Sequence, residues 1–462
     1  MKRILYFVFW VIFCTSCGNF LEEYSQDLVY AQSCEDLDEI LIGNGYMAQP
    51  TTPSYFSYGD KAFYYPYLHV MDDDIEEYLT GNANISSSIN PVTTLRNFYI
   101  WAKEPFMRIS GLTFRDYDWK RMYEHIGYLN VIISYVKEFH EDSEEMRHRI
   151  LGEAQFLRAG YYFMLVNLYA NPYSKETADA TMGVPLNLTE YIEEGYFSRD
   201  PVAAVYRQIV TDLENAIVNL SGIKQPTIYR VNEKAARALL SRVYLYMGEW
   251  QLVIDECDEI IKMGCSLWDL NNFDPGTATF GCKRDYFLAK ESPEIFFTQG
   301  AGVVGLLMDN QNITSQTRYR ASDELYGIYS KYEKDGILDL RKNCFFEMSK
   351  RDNGYFFVRK NPMFDATVFD SFLLRSGEIY LNKAEAQAML DQADAINTMK
   401  ELMNKRYADH KLPVIDGLSG KELIQFIREE RRKELCFEGH RWFDLRRVSE
   451  ISGNESDNTC DI

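Results

Sequence analysis

The sequence is poor in the residue patterns that mark enzyme active sites. Its six histidines are scattered, and it contains no HExxH helix, GxSxG elbow, phosphate-binding loop or dinucleotide-binding glycine motif. No cysteine lies at metal-ligand spacing from a histidine. Zinc proteases, serine hydrolases and nucleotide-dependent enzymes are therefore disfavoured, and we predict no catalytic residue, no metal site and no cofactor.

Long apolar runs and positive charge are also scarce. After Cys17 no apolar run approaches the roughly 18–20 residues that a membrane-spanning helix needs. The chain has 49 lysines and arginines against 69 acidic residues, and its net charge is −20. Because an acidic surface repels phosphate backbones, nucleic acid is disfavoured as a ligand, and uncharged ligands or basic partners fit better.

The first seventeen residues have the layout of a bacterial lipoprotein signal. Lys2 and Arg3 precede a ten-residue apolar run, and small residues lead to Cys17. This run is too short to span a membrane. We predict a signal peptide at 1–16 and acylation of Cys17 as the lipid anchor. Cys14 departs from the usual leucine of such signals, and the alternative is an ordinary secretory signal with an incidental cysteine.

Nine cysteines are present, and seven remain once the leader and Cys17 are set aside. Their spacing shows no paired CxxC motif outside the leader. We expect most of them to be buried small apolar residues. A disulfide among Cys257, Cys265 and Cys282 is an alternative in an oxidising compartment.

Helical periodicity dominates the mature chain. Apolar residues recur at helical spacing from residue 117 to 139, and Ser143 is a predicted cap for a helix that ends near Tyr169. Further helices are predicted at 33–45, 200–220, 232–247, 250–263, 374–390, 393–408 and 419–436, with Asp200 and Asn232 as the predicted caps of the second and third of these. Residues 48–116 are rich in proline and glycine breaks and are predicted to form long loops. The expected fold is therefore mostly α, with few short strands.

The helix pair at 232–263 has a pattern typical of tetratricopeptide (TPR) packing. Small Ala235, Ala236 and Ala238 alternate with large apolar residues, Gly248 marks the turn, and Trp250 opens the partner helix. Small side chains let neighbouring helices approach closely, and TPR pairs repeat every 34 residues or so. Since the pairs here are unevenly spaced, we predict TPR-like packing in a globular protein rather than a regular solenoid.

Several segments, in order along the chain, resemble motifs of the SusD/RagB family. They are CGNFLE at 17–22, EAQFLRA at 153–159, GVPL at 183–186, DLENA at 212–216, LLRSGEIYLNKAEA at 373–386 and REERRKELCFEGHRWFDLRR at 428–447. The last of these resembles the family's signature nearly residue for residue. Each motif alone is weak, but the ordered set covers the chain from Cys17 to Arg447.

The resemblance implies a SusD-like globular fold and a role in nutrient uptake at the cell surface. It implies an N-terminal region at 17–225 that contains TPR-like helices, and a C-terminal RagB/SusD region at 226–462. Family members usually continue further beyond the position of Arg447 than the fifteen residues found here, which puts the completeness of the C-terminal lobe in doubt. The implied protein is a lipid-anchored outer-membrane lipoprotein, exposed to the cell exterior, that captures oligosaccharide and delivers it to a SusC-like TonB-dependent transporter.

Two alternative functions stay open. One is a TPR-like surface lipoprotein that binds peptide or protein, and the other is a surface glycosidase with two catalytic carboxylates. The alternating Glu and Arg residues of 428–447 could suggest acid–base chemistry, but their spacing favours ion pairs along a helix face. Asp72, Asp73 and Asp74 could bind calcium, although a solvated turn or helix cap is favoured because the spaced ligands of a calcium loop are missing.

Aromatic side chains make up 15% of the chain and supply the candidate glycan-binding residues. Flat rings can stack on the C–H faces of sugars, but most of these rings must belong to the core. Rings in loop-rich segments are the better candidates. These are Tyr99 and Trp101 after the NPVTTLRN segment, Trp268 and Tyr286 around a stretch rich in glycine and asparagine, and Tyr319 among polar residues.

Overall fold

The computed structural model describes residues 31–48, 63–78, 91–107, 116–191, 196–274, 286–307, 318–348, 355–356, 360–361 and 367–453. The helices in these ranges are α1 Cys34–Ile40, α2 Pro91–Tyr99, α3 Tyr117–Tyr135, α4 Glu144–Tyr169, α5 Val202–Leu220, α6 Glu233–Met247, α7 Trp250–Lys262, α8 Val304–Leu307, α9 Asp323–Ile328, α10 Arg341–Phe345, α11 Ser376–Met389, α12 Asp394–Met403, α13 Gly420–Leu435 and α14 Arg441–Gly453. The prediction of a mostly helical chain is confirmed.

Short strands pair in antiparallel ladders between the helices. The strands are β1 Ile75–Tyr78, β2 Ile295–Gln299, β3 Arg318–Ala321, β4 Glu347–Met348, β5 Tyr355–Phe356 and β6 Phe372–Arg375. Within the described ranges β1 pairs with β3, β2 with β6, and β4 with β5. The β2–β6 ladder is buried on both faces, which explains its apolar sequence.

Local capping chemistry sets several of the helix ends. The Ser143 hydroxyl accepts a hydrogen bond from the Met146 amide, and the Asn232 side chain accepts one from the Ala235 amide, as predicted. Gly248 ends α6 with a φ of 69°, a left-handed conformation that favours glycine. The predicted cap at Asp200 is wrong, because Pro201 occupies the cap position and the Asp200 carboxylate accepts from the Leu186 amide instead.

Consecutive helices pack as neighbours through most of the chain. Helix α4 lies between α3 and α5, α5 contacts α6, α6 contacts α7, and α11 contacts α7, α12 and α13. At Gly152 the helices α4 and α5 approach so closely that a β-carbon would lie 2.6 Å from Leu220 Cγ. The interiors of these pairs are mainly apolar, with an ion pair of Arg158 and Asp212 buried between α4 and α5, and small residues such as Ala235, Ala236 and Ala238 are fully buried.

Three sequence-based boundaries differ from the structure. The NPVTTLRN segment was expected to be a loop, but Pro91 begins α2, where proline's fixed φ suits the first helical turn. Leu374 was expected in a helix and lies in β6, because a short buried apolar run does not distinguish strand from helix. Helix α14 was not predicted, since the last predicted helix ended at residue 436.

The interior of the second half contains a buried network of charged side chains. Its members, each less than a tenth exposed, are Glu294, Asp339, Arg341, Lys360, Arg375, Arg406, Glu430, Lys433, Glu434 and Glu438. We refer to these ten residues as the buried ion network. Phe287, from the larger apolar cluster, lies under the guanidinium groups of Arg375 and Arg406, and Tyr407, from the smaller cluster, contacts Arg341.

Glu434 on α13 is at the centre of the buried ion network. Its carboxylate accepts hydrogen bonds from Arg375 Nη1 at 2.8 Å and from Arg406 Nε at 2.9 Å, and it also accepts one from Arg341. Burial alone would raise the pKa of Glu434, but Arg406 and Arg375 outweigh burial and hold this pKa well below its ordinary value. The expectation of ion pairs along one helix face is therefore wrong here, because most partners come from other elements.

Candidate functional site

Trp101 ends helix α2 in a conformation that tryptophan rarely adopts. The Trp101 amide donates to the Phe98 carbonyl and the Ala102 amide donates to the Asn97 carbonyl, which together form a Schellman motif. Trp101 occupies the left-handed position of that motif, with a φ of 50°. Glycine is the usual residue there, since a β-carbon costs on the order of 1 kcal/mol in this conformation.

The Trp101 side chain is fixed and yet exposed. Its indole N–H donates a hydrogen bond of 2.7 Å to the Met71 carbonyl, and its ring meets Trp442 edge to face at a centroid distance of 5.5 Å. Even so, 60% of the residue remains accessible to solvent. Trp442 is half-buried and packs against the main core. A large exposed ring, held in one orientation at a conformational cost, is a feature of binding sites.

Charged groups surround the two tryptophans. The Asp73 carboxylate accepts hydrogen bonds of 2.6 and 2.7 Å from Arg441, the residue before Trp442. Arg432 binds Asp74 at 2.7 Å. Burial raises the pKa of Asp73, but Arg441 and Arg432 outweigh this and lower it overall. We call Trp101, Trp442 and this charged rim the tryptophan surface.

The arginines bear on the calcium alternative for Asp72, Asp73 and Asp74. Arg441 and Arg432 supply the positive charge that a cation would otherwise provide to Asp73 and Asp74. Within the described ranges, no group of three or more His, Cys, Asp or Glu side chains has an arrangement suited to a metal ion. Asp73 and Asp74 therefore act as the acidic half of ion pairs that join the turn before β1 to helices α13 and α14, and Asp72 accepts a hydrogen bond from the Asp74 amide.

Tyr99 and Tyr319, two of the candidate binding residues, pack against each other. Their ring centroids are 5.3 Å apart, and the half-buried Tyr99 accepts a hydrogen bond from the Glu77 amide. Tyr319 is fully buried in β3, and burial raises the pKa of its phenol well above the ordinary value. A buried ring offers no face to a sugar, so Tyr319 is corrected here from a candidate binding residue to a core residue.

Trp268 and Tyr286 belong to a different part of the molecule. Trp268 is half-buried, packs edge to face on Phe273 at 5.1 Å and stacks on Phe287 at 6.4 Å. Its amide and carbonyl are bound by Glu294 and Arg406 of the buried ion network. Tyr286, next to Phe287, is also half-buried. The structure thus brings Tyr99 and Tyr319 together, with Tyr99 two residues before Trp101, and packs Trp268 against the apolar core, whereas the role of Tyr286 stays a prediction.

An open groove of about 540 Å³ lies near α1 and the start of α4, and it differs in kind from the tryptophan surface. Arg149 and Arg230 line it, and both bind Asp38 and the buried Glu153. Both arginines of the groove are thus already paired with carboxylates, and none of its lining residues is aromatic. The tryptophan surface is the better candidate for a sugar.

Sequence reasoning singled out Trp101 but missed Trp442 and Arg441, and it considered Asp73 only for calcium, a turn or a helix cap. Trp442 and Arg441 lie within the motif at 428–447, which was interpreted as wholly structural. No local spacing could have joined them to Trp101, because the two tryptophans come from opposite ends of the chain. The predicted anchor Cys17 and the signal peptide at 1–16 lie outside the described residues, as does Cys282.

Two further sequence-based points concern cysteines and membrane contact. Cys257 and Cys265 are both reduced thiols and form no disulfide with each other. Burial is the main cause that raises the pKa of each thiol, to about 11 for Cys265.

Of the helices that the structure describes, none combines the length and the apolar character that crossing a membrane requires.

Two family models match separate parts of the chain. Residues 72–245 match a family described as "Starch-binding associating with outer membrane", and residues 362–459 match the SusD family. The first match contains Trp101 and Asp73, and the second contains Trp442 and Arg441. Both halves of the tryptophan surface therefore lie in matched segments.

Individual relatives are similar over nearly the whole chain. SusD-like protein P25 of Formosa agariphila is 23% identical over 97% of this chain and 90% of its own length. Among solved structures, a SusD superfamily protein from Bacteroides thetaiotaomicron matches with a TM-score of 0.69 and 21% identity, covering 90% of this chain and 89% of that one. A SusD-like carbohydrate binding protein from Bacteroides vulgatus matches with a TM-score of 0.63 and 18% identity, covering 90% and 84%. With its ordered motifs, its helical architecture and both family matches, this chain belongs to the SusD/RagB family.

Proposed function

We propose that this protein captures oligosaccharide on the tryptophan surface and passes it to a SusC-like TonB-dependent transporter of the outer membrane, without acting on it as an enzyme. The proposal rests chiefly on Trp101, an exposed ring held in a costly backbone conformation. It is supported by the starch-binding description of the family matched at 72–245 and by the carbohydrate-binding protein among the similar structures.

The geometry suits weak and reversible binding. Trp101 presents one large ring face, and Trp442 supports it edge to face. Each sugar–ring contact contributes on the order of 1 kcal/mol, and polar contacts at an exposed site add little net free energy. A dissociation constant in the range from about 1 μM to 1 mM is therefore expected. Weak capture allows release to a transporter.

The proposed location is the outer membrane, through acylation of Cys17, with the protein facing the cell exterior. Cys17→Ala should abolish acylation and move the protein from the membrane fraction to a soluble one. Labelling of the variant with a lipid precursor, together with retention in the membrane fraction, would refute the anchor.

The central test replaces Trp101 with glycine. This change removes the ring and also relieves the left-handed strain, while it loses the hydrogen bond to Met71. These opposing effects should leave the free energy of unfolding within about 1 kcal/mol of wild type. Binding on a glycan array, followed by titration calorimetry, should weaken about tenfold or more.

Two control variants make the test specific. Tyr128→Ala removes an exposed ring from α3 and should change neither stability nor glycan binding. Trp268→Ala should instead lower the free energy of unfolding by about 3 kcal/mol or more, because its ring packs in the core. Unchanged glycan binding by a folded Trp101→Gly variant would remove the tryptophan surface from consideration.

A further inference from the structure

The charged groups around Trp101 restrict which glycans the surface can take. Both arginines of the rim are already bound by carboxylates. Arg441 binds Asp73, whereas Arg432 binds Asp73, the fully buried Asp74 and also Glu324. Since each guanidinium is held by acids of the protein itself, neither is available to pair with a negative group on a ligand.

Releasing an arginine for a ligand would be unfavourable. Asp74 is completely buried, and its Oδ1 accepts from Arg432. Its Oδ2 already lacks a hydrogen-bond partner within the described residues. Withdrawal of Arg432 would remove the hydrogen-bonded counter-ion of a buried carboxylate, which proteins tolerate poorly. Arg432 therefore cannot be released to bind an anionic ligand.

Further carboxylates lie beside this rim, either near Trp101 in the chain or paired with Arg432. Glu104, three residues beyond Trp101, is exposed, and so is Glu324. Against these stands the exposed Lys103 as a further cation. Acidic groups outnumber basic ones, so the surface repels an additional negative charge.

We propose that the tryptophan surface is selective for glycans without negative charge, such as neutral hexose oligosaccharides, and excludes uronate-containing and sulfated glycans. This inference rests on the proposed function, because it concerns the ligand of the same site. Stacking on Trp101 would supply affinity irrespective of charge, and the acidic rim would supply the discrimination.

The test uses matched probes that differ in charge. Maltoheptaose, laminariheptaose, cellohexaose and mannohexaose are each compared with the product of oxidising their primary hydroxyls to carboxylates. For any neutral probe that the full chain binds through Trp101, the oxidised partner should bind about tenfold more weakly at low salt. The difference in affinity between the two probes should decrease as the salt concentration rises from about 0.02 M to about 0.5 M, because salt screens exposed charges.

A charge variant separates electrostatics from altered shape. Glu324→Gln removes an exposed carboxylate from the rim and leaves the Arg432–Asp74 pair in place. It should strengthen binding of the oxidised probe about threefold and leave the neutral probe unchanged. Glu39→Gln, the same change at an exposed position on α1, should alter neither.

The possible outcomes distinguish this inference from the proposed function. Oxidised probes that bind as tightly as neutral ones, or an anionic glycan as the sole array ligand lost in Trp101→Gly, would overturn the charge selection while the capture role stands. An affinity difference between neutral and oxidised probes that is the same in Glu324→Gln and wild type would also overturn the charge selection. If no glycan of either kind binds, the proposed function itself fails.

Discussion

The helices α4 to α7 and the buried ion network fill the protein interior with different kinds of side chain. The helix stack is filled mainly with apolar side chains, of which Leu239, Ala235 and Phe156 are fully buried, although an ion pair of Arg158 with Asp212 is buried between α4 and α5. The network fills the space between two apolar clusters with carboxylates, guanidinium groups and ammonium groups. Apolar packing tolerates many substitutions of similar volume. In the network, loss of one partner leaves a buried charge uncompensated. Single substitutions should therefore lower the free energy of unfolding more in the network than in the helix stack.

The largest expected loss of stability comes from removing the charge of Glu434. Glu434→Gln keeps the shape but removes the charge that Arg341, Arg375 and Arg406 share. The free energy of unfolding should fall by about 3–5 kcal/mol, because buried guanidinium charge is left uncompensated. Urea denaturation at neutral pH measures the change.

A neighbour on the same helix provides the control for Glu434. Glu429 forms a partly exposed pair with Lys331 on the surface of α13, so Glu429→Gln should cost less than about 1 kcal/mol. Equal losses of unfolding free energy in the two variants would show that burial does not increase the cost of removing a carboxylate.

Acid should next distinguish the apolar stack from buried ion pairs, here the pair of Glu385 with Arg447 outside the ten-residue network. Burial raises the pKa of Glu385, but Arg447 and Arg428 overcome this and set it at about 2. A carboxyl group whose pKa is lower in the folded state stabilises the protein above its ordinary pKa, and this contribution is lost as the pH falls towards 2. Glu385→Gln should therefore cost about 3 kcal/mol at pH 7 and almost nothing near pH 2.

Leu239→Ala is the matched change in the apolar stack. It removes a fully buried side chain that does not titrate, so its cost of about 2–5 kcal/mol should not depend on pH. Unfolding of both variants across the acid range supplies the comparison. Parallel pH profiles for the two variants would contradict the assignment of acid sensitivity to the ion pairs.

The smallest expected effect comes from one substitution made in both regions. In α4, a β-carbon at Gly152 would lie 2.6 Å from Leu220 Cγ, an apolar side chain that can shift. In α11, a β-carbon at Gly377 would lie 2.7 Å from Glu434 Oε1 and would also meet Arg375. Gly152→Ala should cost about 1–3 kcal/mol, and Gly377→Ala should cost more because it displaces paired charges. Thermal unfolding of both variants ranks them, and the reverse order would place the stricter packing in the helix stack.

The same contrast explains what the sequence could predict of the fold. Ser143 and Asn232 were identified as helix caps because a cap depends on residues three positions away. The buried ion network depends on pairs such as Glu294 with Arg406 and Arg375 with Glu438, whose partners lie far apart in the chain. Spacing along one helix therefore led to the wrong pairing, although the structural rather than catalytic interpretation of 428–447 agrees with the geometry.

For the candidate site, sequence reasoning reached one residue of the pair. Trp101 was chosen for its large ring in a loop-rich region, and its role stays a prediction until binding is measured. Tyr319 was misplaced because RYRA was interpreted as part of a polar loop. The alternation of one aromatic residue between two arginines also fits a strand with one buried face, and this signal could have indicated its burial.

The pairs of Asp73 with Arg441 and of Trp101 with Trp442 join residues near the beginning of the chain to residues near its end. Arg446, on the same last helix, donates to the carbonyl groups of Asn167 and Ala170 at the end of α4. During synthesis the first half therefore emerges without the side chains that complete it, and contacts of such long sequence separation form late in folding. The tryptophan surface comes into existence only when the whole chain has folded, so neither half expressed as a fragment should carry it.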